Sequence, residues 1–127
     1  MTDKTNSALQ TVQEFQQMIG SGNADWTNLV ADDITFTGPA AGVVRGKEDF
    51  IALNNDFFPR VRGYEAVSAF GQGDLALLEG ALTVATPNGG EIRFALAEIY
   101  EVKGGKIQNI RIYYDAEEFR KEFGQCQ

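Results

Sequence analysis

Histidine is absent from the 127 residues of this chain. That absence removes the Ser-His-Asp and Cys-His nucleophile systems, which need an imidazole base, and it removes histidine-ligated metal sites. The single cysteine, Cys126, can form neither an internal disulfide nor a zinc site, and nothing basic surrounds it locally to favour a reactive thiol. No run approaches the ~18 apolar residues of a membrane span. The first residues, M-T-D-K-T-N-S-A-L-Q, lack the apolar core of a secretion signal. Positive charge is scarce, with 11 Lys and Arg against 18 Asp and Glu and a formal net charge of −7. This balance speaks against a nucleic-acid partner and against an anionic membrane surface. A reducing cytoplasm is the default expectation, with no metal and no cofactor. Any catalysis falls to carboxylates, Tyr, Lys, Arg or hydroxyls.

What is present is an ordinary globular composition, 43% hydrophobic and 23% charged, at a length that suits a single domain over residues 1–127 with its ordered core at about 8–123. The first six residues read as a loose tail. Leu9, Val12, Phe15 and Ile19 recur at helical spacing from Ser7 until G-S-G-N stops the pattern. A short helix, D-W-T-N-L-V, follows, then a strand through Ile34, Phe36 and Gly38 up to Pro39. A third helix covers 46–58, with Phe50, Leu53, Asn54 and Phe57 on one face and Pro59 as its stop. From there the chain is all strand: Arg62 to Phe70, Leu75 to Thr86, Glu91 to Lys103 and Lys106 to Tyr114, separated by G-Q-G-D, P-N-G-G and G-G turns. A short helix closes the chain after Asp115. Helices first and a meander of long strands after predicts an α+β domain, with the helices packed on the concave face of a curved antiparallel sheet.

Two-residue turns at Asn88-Gly89 and Gly104-Gly105 would set the register. Leu82 then faces Ala95, Gly80 faces Ala97, Glu79 faces Glu98, Ile99 faces Ile110 and Ala97 faces Ile112. The concave face carries Leu82, Arg93, Ala95, Ala97, Ile110, Ile112 and Tyr114. With small residues at its centre it leaves room for an apolar pocket, completed by Phe15, Trp26, Phe36, Asn54 and Phe57 from the helical half; the alternative is that the aromatics fill the space as a packed core. The outer face carries Glu79, Phe94, Leu96, Glu98, Arg111 and Tyr113, a mixed aromatic and charged surface that suggests a homodimer through the sheet. A one-residue slip would exchange the faces of a strand.

Three segments, L-V-A-D-D-I-T-F-T-G-P, V-V-R-G-K-E-D-F and G-G-K-I-Q-N-I-R-I-Y-Y-D-A-E-E-F, in this order and spacing, resemble the nuclear transport factor 2-like superfamily and its SnoaL-like proteins. The resemblance implies a cone-shaped α+β fold with an apolar pocket and frequent dimerisation through the sheet. It does not fix an activity, because members include isomerases, cyclases, epoxide hydrolases and pure binding proteins. The steroid-isomerase positions fall on Phe15, Gly38 and Ala97, and an epoxide-hydrolase aspartate falls on Ile112, so both sets of functional groups are missing. The cyclase acid/base has Asp115 as its nearest counterpart.

Asp115 has two readings. D-A-E-E has the spacing of a capping box, with Asp115 at the N-cap and Glu118 at N3; alternatively Asp115 is a catalytic carboxylate with Tyr114 beside it. Arg93 and Tyr114 are the expected polar handles for a ligand. The expected function is binding of a small apolar molecule in the cone. The alternatives are a cyclase- or isomerase-type enzyme moving a proton next to a carbonyl, or a dimeric interaction protein with a packed core.

Overall fold

The computed structural model describes residues 7–117 and residue 121. Helix α1, Ser7–Gly20, buries Ala8, Val12 and Phe15. It ends in a Schellman arrangement: the Asn23 amide donates to the Met18 carbonyl and the Gly22 amide to that of Ile19. Gly22 supplies the left-handed residue, at φ 76°. Asn23 then caps a short 3-10 helix, Ala24–Leu29, by accepting from the Asp25 amide at 2.9 Å. Helix α2, Lys47–Phe57, starts on Gly46 with Glu48 and Asp49 in its first turn, where the helix dipole favours acids. A 3-10 turn, Phe58–Arg60, carries Pro59 and ends the helical part.

Six strands form one sheet: β1 (Val30–Gly38), β2 (Gly42–Arg45), β3 (Val61–Gln72), β4 (Leu75–Ala85), β5 (Glu91–Lys103) and β6 (Lys106–Tyr114), in the order β2-β1-β6-β5-β4-β3. The β1–β6 pair is parallel and the others are antiparallel. The expected α+β class and the four long strands are present. Strand β2 was missing from the sequence pattern because it is only four residues long and leads directly into α2. Helix α1 lies against β3, β4 and β5, and α2 lies against β1 and β2. No helix among the described residues is long and apolar enough to cross a membrane.

The register differs from expectation on both sides of β5. The β4–β5 connection is not a two-residue turn, because Pro87 has no N–H for the ladder. Thr86 instead closes a longer loop. Its amide donates to the Gly90 carbonyl at 2.8 Å, its hydroxyl accepts from the Gly90 amide at 3.0 Å, and the same hydroxyl bonds the Asn88 side chain. Ala85 therefore pairs with Glu91, Gly80 with Leu96 and Leu78 with Glu98. On the other side, Gly104-Gly105 forms the expected turn and Lys103 pairs with Lys106, but an irregularity follows. Val102 pairs with Ile107 while Glu101 pairs with Asn109, so Gln108 is the extra residue. Beyond it Tyr100 meets Ile110, Glu98 meets Ile112 and Leu96 meets Tyr114. The faces predicted for β4 and β6 hold, and β5 alone is turned over.

The core sits at the Gly104-Gly105 end of the concave face. Val12 and Phe15 pack there with Ala76, Leu78, Tyr100, Val102, Ile107 and Ile110. A chain of edge-to-face aromatic contacts runs from Tyr100 to Phe15, from Phe15 to Trp26, and from Trp26 to Phe50 and Phe58, with centroids 5.8–6.2 Å apart. These rings fill one half of the concave space and leave the other half open.

Candidate functional site

The open half is a cavity of about 1400 Å³ between α2, the β1–β2 hairpin and the concave sheet. Its walls are mainly apolar: Phe36, Phe57, Leu82, Phe94, Leu96 and Ile112 contribute, with Pro39 to Gly42 and Pro87 at the end away from the core. Phe94 and Tyr114 stack at 5.0 Å between centroids. Gly38 keeps this wall tight, since a Cβ there would come within 3.0 Å of Ile112 Cγ1.

Where the core ends and the cavity begins, β5 presents Tyr100 and then Glu98. Tyr100 is buried, and its hydroxyl donates to Glu98 Oε1 at 2.8 Å. Gln16, one helical position past Phe15, donates from Nε2 to the Tyr100 hydroxyl at 2.9 Å and more weakly to Glu98 Oε1 at 3.4 Å. The chain Gln16–Tyr100–Glu98 is thus satisfied on its inner side. Glu98 Oε2 accepts no bond from the described residues, and Glu98 lines the cavity. Arg60, the only cation among the described lining residues, is paired with Asp56 at 3.2 Å.

Burial raises the pKa of Glu98, partly offset by the bond from Tyr100. Glu98 keeps some accessible surface because it faces a cavity, but the protein surrounding it still deprives the charged form of hydration. Tyr100 is pushed well above the ordinary tyrosine range, first by burial, then by the charge of Glu98 and by its own donated bond, while the Gln16 bond opposes this. Tyr64, from β3, also lines the cavity. Its phenol is raised first by burial and then by the charge of Glu98.

The residues expected at the site divide. Phe15, Phe36, Asn54, Phe57, Leu82, Ile110, Ile112 and Tyr114 line the cavity. Asn54 spends its amide on the Phe50 carbonyl at 2.8 Å. Trp26 does not line it; it is a core residue between Phe15 and Phe50. Arg93, Ala95 and Ala97 are corrected to the outer face by the shift in β5, and Arg93 pairs there with Glu65 at 2.6 Å. The same shift removes Phe94, Leu96 and Glu98 from the expected dimer face, where Glu79, Arg111 and Tyr113 remain. The expected Glu79–Glu98–Arg111 cluster does not exist. Glu79 accepts from Ser68 at 2.9 Å, and Arg111 bonds Glu101 at 2.9 Å.

Asp115 accepts from the Glu117 amide at 3.0 Å, which is a capping bond. Glu118, the other half of the expected capping box, lies outside the described residues, as do Cys126 and the six-residue tail. Sequence reasoning missed Glu98, Tyr100, Gln16 and Tyr64 as site residues. The available signal was Pro87 in the presumed turn, which should have lengthened that loop. No group of acidic or cysteine side chains able to hold a metal ion occurs among the described residues.

A curved sheet with helices on its concave face and a polar group at the base of an apolar cavity defines a class of α+β domain with an open interior. The profile of the SnoaL-like domain family matches residues 12–110, and the chain belongs to that family. Among solved structures, a protein from Kribbella flavida is 27% identical, with a TM-score of 0.80 over 92% of this chain and 93% of that one. A candidate SnoaL-like polyketide cyclase from Mesorhizobium loti is 24% identical, with a TM-score of 0.69 over 84% of this chain and 97% of that one. A candidate isomerase from Bacillus subtilis is 19% identical, with a TM-score of 0.79 over 99% and 100% of the two chains. A comparison with curated proteins finds no match.

The raised pKa of Glu98 has a consequence for stability. Between its unfolded value, near 4.5, and its higher folded value, the native state holds a proton that the unfolded state has lost. Stability falls as pH rises through that window and then levels off. Urea unfolding of wild type and Glu98→Gln across the acid-to-neutral range should show wild type losing stability relative to the variant as pH rises. A pH-independent difference would mean that Glu98 titrates alike in both states.

Proposed function

We propose that this protein binds one small, largely apolar molecule in the concave cavity, with the molecule's polar end against Glu98. The observation that carries the reading is a carboxyl with one oxygen left for a ligand, at the base of a large apolar cavity. Ligand pockets typically enclose about 300–1,000 Å³, and a cavity of about 1400 Å³ has room for a molecule of several rings. This size also weighs against the packed-core alternative. A homodimer through the outer face remains part of the proposal, now resting on Phe70, Leu77, Ile99 and Tyr113 around the Arg111–Glu101 pair. Native mass spectrometry of freshly purified protein, compared with the denatured mass, should show a dimer that sheds a small molecule on denaturation. A ligand-free monomer would contradict both parts.

Glu98 favours a second reading, proton transfer next to a carbonyl. A carboxyl whose pKa is moved toward neutrality can both take and return a proton, and Tyr100 and Gln16 hold it in one orientation. This replaces Asp115 as the candidate acid/base, and Tyr114 becomes a wall residue. The substrate would lose a C–H proton to Glu98 and recover one from it. With 2-tetralone in deuterium oxide, wild type should speed deuterium uptake beside the carbonyl. Glu98→Gln should reduce this by about 10²–10⁴-fold, the usual contribution of a general base. Equal uptake by both proteins would remove the enzymatic reading and leave the binding one.

A further inference from the structure

The interior of β4, L-A-L-L-E-G-A-L-T-V-A, contains one glycine, Gly80. Glycine inside a strand weakens it, and such a residue commonly marks close approach of another group. Gly80 is not among the positive-φ glycines, so the backbone does not require it. Space does. A Cβ at position 80 would lie 2.5 Å from the Tyr64 hydroxyl oxygen, 2.6 Å from its Cζ and 2.7 Å from the Glu65 carbonyl oxygen. The Tyr64 ring therefore lies down across β4 in the gap that the missing side chain leaves.

The register shows where that places the phenol. Tyr64 on β3 is opposite Leu82 on β4, and Gly80 on β4 is opposite Leu96 on β5, two residues from Glu98. The hydroxyl reaches across β4 toward the strand that carries Glu98, and the charge of Glu98 is felt at Tyr64. Unlike the Tyr100 hydroxyl, which is committed to Glu98, the Tyr64 side chain is 40% exposed and lines the cavity. Register irregularities flank it, between Val61 and Gly63 and between Ala66 and Ser68, and they shape this edge strand locally.

We propose that Tyr64 is a specificity residue, donating a hydrogen bond to an oxygen on the ligand held by Glu98, and that Gly80 is the positioning residue that seats it. The proposal rests on the binding reading above. It narrows the ligand to a neutral molecule whose polar end is a hydrogen-bond-accepting oxygen.

The test uses 6-propionyl-2-(dimethylamino)naphthalene, a ketone dye whose emission moves to the red when its carbonyl accepts a hydrogen bond, and 2-(dimethylamino)naphthalene, which lacks the carbonyl. Tyr64→Phe should weaken the ketone by about 5- to 10-fold, the worth of one hydrogen bond. It should also shift its bound emission to the blue, and leave the carbonyl-free dye unchanged. Gly80→Ala should reproduce these effects and add nothing to them in the Tyr64→Phe background; if Gly80→Ala does not fold, the Tyr64→Phe comparison decides alone. Equal loss of both dyes, or no loss of either, in Tyr64→Phe would overturn the proposal. If wild type binds neither dye, the cavity reading itself fails; if Glu98→Gln weakens the ketone and Tyr64→Phe does not, only the present proposal fails.

Discussion

The pairing of β5 with its two neighbours decides what chemistry the cavity contains. A strand has a two-residue period, so one residue of slip would replace Glu98 and Tyr100 on the concave face with Ala97 and Ile99. The Thr86 loop on one side and the extra residue Gln108 on the other both enforce the observed register. Each alone would put β5 at odds with one partner. Together they turn it over consistently, which is why the change affects every side chain of that strand and few others.

That arrangement brings a carboxyl into low-dielectric surroundings, which is unfavourable unless the group is hydrogen-bonded or neutralised. Tyr100 and Gln16 provide hydrogen bonds, and no cation among the described residues provides charge. The result is a group whose proton is held more tightly than in water. Tyr100 in turn is held by the edge contact with Phe15, so the aromatic core that closes one end of the cone is also the support of the polar group at the cavity base. Stability and site share the same side chains, and the open half of the cone begins where that support ends.

Much of this was legible in the residues. The 3.6-residue pattern through Val12 and Phe15, the strand limits of β5 and β6, and the apolar concave positions on β4 and β6 follow from local periodicity and turn chemistry. The capping role of Asp115 was legible too, because a cap is a local device. What was not legible is long-range. Asn88-Gly89 is a strong turn signal, yet the hydroxyl of Thr86 and the missing N–H of Pro87 outweigh it. A bulge at Gln108 has no local signature. Glu98 and Arg93 read plausibly on either face, since both sides of β5 mix apolar and charged residues. The partnership of Tyr64 with Gly80 joins two strands through a vacancy, which a residue pattern does not display.

The central claim is that Glu98 belongs to the cavity and holds its proton more tightly than an ordinary glutamate. Carbon-13 NMR of the glutamate carboxyls across pH, assigned by the resonance missing in Glu98→Gln, measures this directly. The account predicts one carboxyl titrating distinctly above the others, with Glu98 as its owner. A Glu98 resonance that titrates with the exposed glutamates would contradict the register of β5 and the site built on it.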